Sequence, residues 1–425
     1  MAKKYRSRIA DALLENKLKT IGAVLIEGAK WCGKTSTAEQ HAGSVVYMTD
    51  PARSKQYMLA IETDPDYLLE GKTPRLIDEW QIAPQLWDMI RFKVDHREGW
   101  GQFILTGSAV PANLDAVHHS GTGRFARLKM RPMSLWESGD SNGAISLGQL
   151  FSGEKVHIAD NTLRLPQVAF LLCRGGWPQA TFFSGDLALN PAKDYYDGVV
   201  NSDIQRVDGV ERQPGKVKRL MHSYARLQGS QASVAEIAKD IAANEQDTLD
   251  VRSVYSYLNA LERIFVVEDM PAWNPNIRSK AAIRSADTRY FVDPSIATAA
   301  LRIGPNDLMN DLNTFGFLFE TMCIRDLRVY ADALDGSVYH YRDKNGLECD
   351  AVLHRENGQY GLIEIKLGGE TAIEEGSKTL HKLAELIDTT RMQTPSFLIV
   401  LTAVGAMAYQ RKDGVWVVPI GCLKE

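Results

Sequence analysis

The chain has 425 residues, 44% hydrophobic and 24% charged, a length that suggests two to four domains, each with its own core. Lys+Arg 49 against Asp+Glu 53 gives a net charge of −4, which excludes a general polycation that coats nucleic acid or anionic membrane; any nucleic-acid contact must come from local patches. The five cysteines, Cys32, Cys173, Cys323, Cys349 and Cys422, are scattered without a CxxC, so neither a zinc site nor a disulfide framework has its spacing, as suits a reducing cytosol. The basic N-terminus leads into an amphipathic helical pattern rather than an apolar signal core. The longest apolar stretch, 397–409, is too short to cross a bilayer and reads as a buried strand followed by a turn or helix. A soluble cytoplasmic protein with no membrane partner is expected.

From Ala23 to Thr106, the runs AVLIEG, SVVYMTD, RLIDEW and QFILTGS read as strands with polar C-terminal ends. STAEQHA and QLWDMIRFKVDH carry helical periodicity between them. Strands separated by helices predict a parallel sheet whose ligands gather at the carboxyl ends of the strands. Residues 140–165 read as a connection or small insertion, and 166–228 as helices punctuated by GGWP (175–178). Next, ASVAEIAKDIAANEQ, DTLDVRSVYSYLNALERI and the strand-like FVVEDM give the helix, turn, helix and wing order of a winged helix-turn-helix. A further unit starts near Arg289, with a helix at 312–332 and strands at 337–342, 347–353, 360–367 and 396–402. The boundaries expected are therefore 1–165 for the nucleotide-binding core, 166–228 for a helical lid, 229–285 for the winged helix and 286–425 for a C-terminal α/β domain.

GAKWCGKT (28–35) satisfies GxxxxGK[ST] directly after an apolar strand and before a helix. Gly28 and Gly33 let the backbone wrap phosphates, with Ala29, Lys30, Trp31, Cys32 and Ser36 completing the ATP-binding loop. The following helix adds its positive end, Lys34 neutralises phosphate charge, and Thr35 is a Mg²⁺ ligand. RLIDEW (75–80) ends in adjacent carboxylates: Asp78 holds the metal from the second shell, and Glu79 polarises the attacking water. A helix-start acidic pair is the alternative for this sequence. FILTGSA (103–109) offers Thr106 or Ser108 as a sensor of the γ-phosphate or water, against an ordinary turn. In SGTGRFARLKMRP (120–132), Arg124 is the candidate finger that crosses to a neighbouring subunit, although an arginine here could equally face solvent or DNA.

LECDAVLHRENGQYGLIEIKLG (347–368) holds the second acidic constellation. Period-two alternation puts Glu348 with Asp350 on one strand face and Glu364 with Lys366 on the next. A three-residue loop, Glu356-Asn357-Gly358, pairs Asp350 with Glu364 and Glu348 with Lys366, whereas a two-residue turn would separate the carboxylates. The first register avoids burying unpartnered charge, and it yields the D…ExK core of restriction-type nucleases, in which a divalent ion activates water. Glu320, on the preceding helix, is a fourth member. An exposed Glu–Lys salt pair is the ordinary reading of ExK alone.

Together these motifs resemble the prokaryotic AAA+ ATP-binding proteins whose C-terminal region is a domain of unknown function related to restriction endonucleases. The resemblance runs over nearly the whole chain: YRSRI (5–9), the phosphate loop, LIDEW, ILTGS, RPMSLWE (131–137), GGWP, IAKDI…YLNALE, YFVDP, FLFE, ECD and EIK. It implies an α/β fold with a P-loop AAA+ parallel sheet, a helical lid, a winged helix and a restriction-endonuclease-like tail. It also implies an oligomeric Mg²⁺-dependent ATPase acting on DNA, including branched DNA such as Holliday junctions. Lys30 stands where many relatives carry Arg, and Trp31-Cys32 is a bulkier pair than usual. The alternative is a signalling or scaffold ATPase whose winged helix and tail bind proteins without cleaving.

Supporting patches are modest. Arg252, Ser253 and Ser256 line the candidate recognition helix. Lys216, Lys218, Arg219 and Arg226, and separately Arg278, Lys280, Arg284 and Arg289, could track phosphates or face solvent. Trp177, Trp273 and Phe265 read as core or interface residues, and His118-His119 lacks metal-ligand neighbours.

Overall fold

Ala23–Glu27 (β1), Ser44–Tyr47 (β2), Arg75–Asp78 (β3), Phe103–Gly107 (β4) and Phe125–Lys129 (β5) form one sheet ordered β2-β3-β4-β1-β5, parallel at every pairing. These come from a computed structural model that describes residues 5–109, 119–244, 248–275 and 286–425. His118, Arg278, Lys280 and Arg284 lie outside the described residues.

Parallel neighbours require crossovers, and here helices Ile9–Leu18 (α1), Lys34–His41 (α2), Ser54–Thr63 (α3) and Leu86–His96 (α4) accompany the strands. Because both sheet faces are covered, strand residues alternate between two cores rather than between core and water. Ala23, Leu25, Ile77, Phe103 and Leu105 pack with Trp80, Trp87 and Ile90 on one side. Val24, Ile26, Leu76 and Ile104 pack with Leu14, Ala38 and Leu128 on the other. Each such side chain removed from water is worth about 1.5–3 kcal/mol, enough to hold the strand ends in register. The edge strand β5 is absent from the sequence reading, since FARLK shows too little alternation; only Leu128 in it is buried.

The first compact unit runs to Pro132 and takes in 201–212 and 259–266; the second comprises 133–200, 213–258 and 267–425. The expected boundary at 165 differs from this division for a topological reason. Ile145–Ser146 pairs with Leu423–Lys424, and Ala159–Asp160 (β6) with Met407–Ala408, so the connection belongs with the C-terminal sheet.

In the second unit, Leu165–Arg174 (α5), Asn190–Gly198 (α6) and Pro214–Arg226 (α7) precede Val234–Asn244 (α8) and Val251–Arg263 (α9), the last of which ends within the first unit. Antiparallel bridges Val267↔Phe291 and Met270↔Thr288 follow. Pro294–Leu301 (α10) and Leu312–Ala333 (α11) lead to strands Gly336–Arg342 (β7), Glu348–Arg355 (β8) and Tyr360–Lys366 (β9). Helix Glu370–Leu386 (α12) then crosses to Phe397–Thr402 (β10), followed by Met407–Gln410 (β11) and Trp416–Pro419 (β12). The sheet order is β6-β11-β12-β10-β9-β8-β7, antiparallel through β7, β8 and β9 and parallel from β9 to β10 to β12. Leu362, Val400, Leu380, Leu383 and Trp273 fill its core. The apolar stretch at 397–409 is thus a buried strand, a turn and the start of a second strand. Among the described residues no helix is long and apolar enough to cross a membrane.

Candidate functional site: a phosphate loop facing an acidic strand end

Sheet order places the carboxyl ends of β1, β4 and β3 side by side. The end of β1 runs into the 28–35 loop, where two glycines are geometrically required. Gly28 has φ 154, and a Cβ there would lie 2.0 Å from the Met130 carbonyl oxygen. Gly33, at φ 106, is the left-handed residue that opens α2. Lys34 is 5% exposed, its Nζ donating to the carbonyls of Gly28 and Ala29 at 2.8 Å each, so the charge is held against the loop. Cys32 is buried, with Sγ 3.4 Å from the Met130 carbonyl, and Ala29 is buried beside it. Trp31, at φ 63, is exposed, as is Ser36.

Opposite, Thr35 Oγ1 donates to Asp78 Oδ1 at 2.6 Å, and Thr106 Oγ1 donates to the same oxygen at 2.6 Å. Thr106 also accepts the Glu79 N–H at 3.2 Å. Ser108 Oγ donates to Glu79 Oε2 at 3.0 Å, and Gln81 Nε2 donates to that oxygen too. Glu79 has φ 58, a left-handed conformation that costs a non-glycine residue about 1 kcal/mol or more and recurs at active sites. Thr106 and Ser108, the sensor candidates, thus hydrogen-bond the Asp78 and Glu79 carboxylates in this structure.

Three further contacts, which the motifs do not specify, support the site. Arg8, 6% exposed, donates to the carbonyls of Cys32 (2.8 Å) and Arg131 (2.9 Å), clamping the loop from behind. Lys30 Nζ meets Asp203 Oδ1 at 2.5 Å. Gln81 fixes the Glu79 carboxylate. Arg8 and Lys30 lie far in sequence from their partners, and Gln81 stands just past the RLIDEW run, so no spacing rule points to these contacts. Arg124, the finger candidate, ion-pairs through Nε with Asp95 Oδ1 at 2.7 Å, with the side chain 44% exposed.

The second constellation assembles in unit two. The β8–β9 hairpin closes through Glu356-Asn357-Gly358, with Gly358 at φ 88. Pairs Leu362↔Val352 and Ile363↔Ala351 bring Asp350 opposite Glu364, the register that the loop length predicts. The ladder stops there, however, and the expected facing of Glu348 and Lys366 is not formed. Glu348 pairs instead with Arg342 across β7, at 2.9 Å. Lys366 Nζ bridges Glu364 Oε2 (2.6 Å) and Asp350 Oδ2 (3.3 Å), and Asp350 Oδ2 also accepts the Ile365 N–H at 2.7 Å. Glu320 accepts the Tyr290 hydroxyl. Burial, then the Asp350 charge, pushes the Glu320 and Glu364 carboxyls up to about 8. Burial draws the Lys366 ammonium down, but the charges of Asp350 and Glu364 outweigh it and hold its pKa above the usual lysine range. Among the described residues, no three His, Cys, Asp or Glu side chains form a group able to hold a metal ion.

The basic patches are partly spent on structure. Arg226 pairs with Asp240 at 2.6 Å, and Arg289 with Asp269. Asp250 caps α9, its carboxylate accepting the Ser253 N–H and hydroxyl, and Arg252 is exposed at that helix start. Trp177 and Trp273 are core residues, with Trp177 Nε1 donating to Ser295 Oγ at 2.9 Å.

Residues 21–138 match the model of the AAA domain. Residues 165–307 and 315–423 match two domains of unknown function, DUF8612 and DUF4143. With the loop geometry above, the chain carries an ATPase domain of the AAA type. Uncharacterised proteins of Mycobacterium bovis and Mycobacterium tuberculosis are each 23% identical over 376 residues, covering 88% of this chain and 76% of theirs. A Walker-type ATPase of Pyrococcus abyssi aligns over 71% of this chain and 97% of its own at 12% identity, with a TM-score of 0.44.

Proposed function

We propose that this protein is a Mg²⁺-dependent ATPase of the AAA+ class that acts on DNA. The observation that carries the reading is the Thr35–Asp78–Thr106 arrangement: two hydroxyls on one carboxylate oxygen, beside a buried lysine drawn into a glycine loop. The donor set fits the group: Lys34 balances triphosphate charge, Thr35 offers a hard oxygen ligand to Mg²⁺, and Asp78 stands behind it, accepting the Thr35 hydroxyl. The metal supplies charge neutralisation across the phosphates. Glu79, turned by its left-handed backbone and steadied by Ser108 and Gln81, accepts the proton of the attacking water. Arg124 reaches a neighbouring subunit's site if it exchanges Asp95 for phosphate charge on assembly.

DNA as the partner is supported by the helix-turn-helix order of α8 and α9 with bridged segments after them, and by the Asp350, Glu364 and Lys366 hairpin with Glu320 alongside. The second reading, a scaffold ATPase whose tail binds protein without cleavage, is favoured by one observation. The Lys366 ammonium lies within ion-pair distance of both carboxylates that a metal would need.

A panel of linear, forked and four-way DNA, assayed for ATP hydrolysis and for nicking with Mg²⁺ or Mn²⁺, separates the two. DNA-stimulated turnover supports the DNA reading; turnover that stays flat with every DNA rejects it. Lys34→Ala is expected to abolish turnover in either case, and unchanged hydrolysis would remove the loop from consideration.

A further inference from the structure

Away from both constellations, the second unit contains a cavity of ≈ 550 Å³ bounded by α5, α6, α7 and the end of α10. That volume lies within the range of small-molecule sites. Three cations from three different elements line it: Lys193 of α6, Lys218 of α7 and Arg302 just past α10. Lys193 and Arg302 are exposed at its rim and Lys218 is half-buried, whereas the buried Arg174, Arg212 and Arg325 are ion-paired, with Asp140, with Asp208, and with Asp293 and Asp326. Lys193, Lys218 and Arg302 make no ion pair with a described residue. The lining has one carboxylate, Asp197, which is engaged with another group, while nearby Asp307 accepts the Gly304 N–H at 2.8 Å.

Arg302 also has an unusual backbone. It occupies the left-handed position after α10 at φ 57, where glycine would sit without strain. Leu189 and Ile303 give the cavity an aliphatic wall. Tyr196 and Cys173 add a hydroxyl and a thiol that burial keeps protonated, their pKa values pushed up to about 12. They therefore serve as neutral hydrogen-bond donors rather than opposing charges.

We propose that this cavity binds a small phosphorylated organic molecule, with the phosphate between Lys193, Lys218 and Arg302 and the organic part against Leu189 and Ile303. Three unneutralised cations match a dianion better than a single carboxylate, and hydrogen bonds to charged groups are the strong ones. Nothing in the ATP site is needed for this binding.

The test is calorimetric titration of full-length protein carrying Lys34→Ala, so that the phosphate loop does not contribute. The probes are ribose 5-phosphate, inorganic phosphate, ribose and citrate. Saturable one-to-one binding of ribose 5-phosphate is expected, tighter than inorganic phosphate and absent for ribose. Lys218→Gln and Arg302→Gln are each expected to weaken it about tenfold. Melting temperature distinguishes a ligand site from a structural one: neutralising one of three unpaired like charges should leave it unchanged or raise it. The proposal is overturned if neither phosphate binds saturably, if the variants bind as well as the parent, if they melt markedly lower, or if citrate binds tighter than both phosphates.

Discussion

Thr106→Val is the sharpest probe of the ATP site, because valine keeps the shape of threonine and removes only the hydroxyl. In the structure that hydroxyl donates to Asp78 Oδ1 at 2.6 Å and accepts the Glu79 N–H at 3.2 Å, with the side chain fully buried. Losing a hydrogen bond to a charged group costs about 1.5–3 kcal/mol, and an amide left without its partner about 1 kcal/mol more. Asp78 keeps the Thr35 hydroxyl, and the total expected is roughly 2.5–4 kcal/mol of folding stability. The same loss frees the Asp78–Glu79 backbone to shift, and a displacement of about 1 Å at a reacting group costs on the order of 100-fold. Urea unfolding together with steady-state ATP hydrolysis would measure both effects. Thr106→Ser, which retains the hydroxyl, should recover most of the turnover. A Thr106→Val protein with wild-type stability and turnover would refute the positioning role.

Glu79→Gln should keep nucleotide binding while slowing hydrolysis by about 10²–10⁴, what a positioned base contributes; a wild-type rate would place the base elsewhere. The tail cluster predicts a pH effect with a definite sign. Glu320 and Glu364 titrate near 4.5 when unfolded and about 8 when folded, so the unfolded chain loses their protons first. The stability they lend is full below about 4.5 and is lost as pH rises toward 8. Glu320→Gln, which stays neutral, should therefore match wild type at pH 5 and exceed it at pH 9 in urea unfolding; equal slopes would contradict this. Arg325 is fully buried between Asp293 (2.8 Å) and Asp326 (2.7 Å), and Arg325→Ala should cost about 3–5 kcal/mol by stranding two buried carboxylates. A loss below 1 kcal/mol in urea would show that water reaches them.

Local chemistry was readable because it is local. The 28–35 loop needs glycine where no side chain fits, and the strand that ends in Asp78-Glu79 is apolar because both faces of a parallel sheet are covered. The hairpin register followed from a three-residue loop with one left-handed glycine, since side-chain direction alternates with fixed period. What the sequence could not hold were relations between distant segments. Arg8 reaching Cys32 and Arg131, Lys30 reaching Asp203, Glu348 turning to Arg342, and residues 145–160 joining the last strands all depend on where the chain returns. The same is true of Thr106 and Ser108: as residue types they suit a sensor, but tertiary packing sets their hydroxyls against Asp78 and Glu79. Hydroxyl direction is chosen by the nearest acceptor, and which acceptor is nearest is decided only once the strands are side by side.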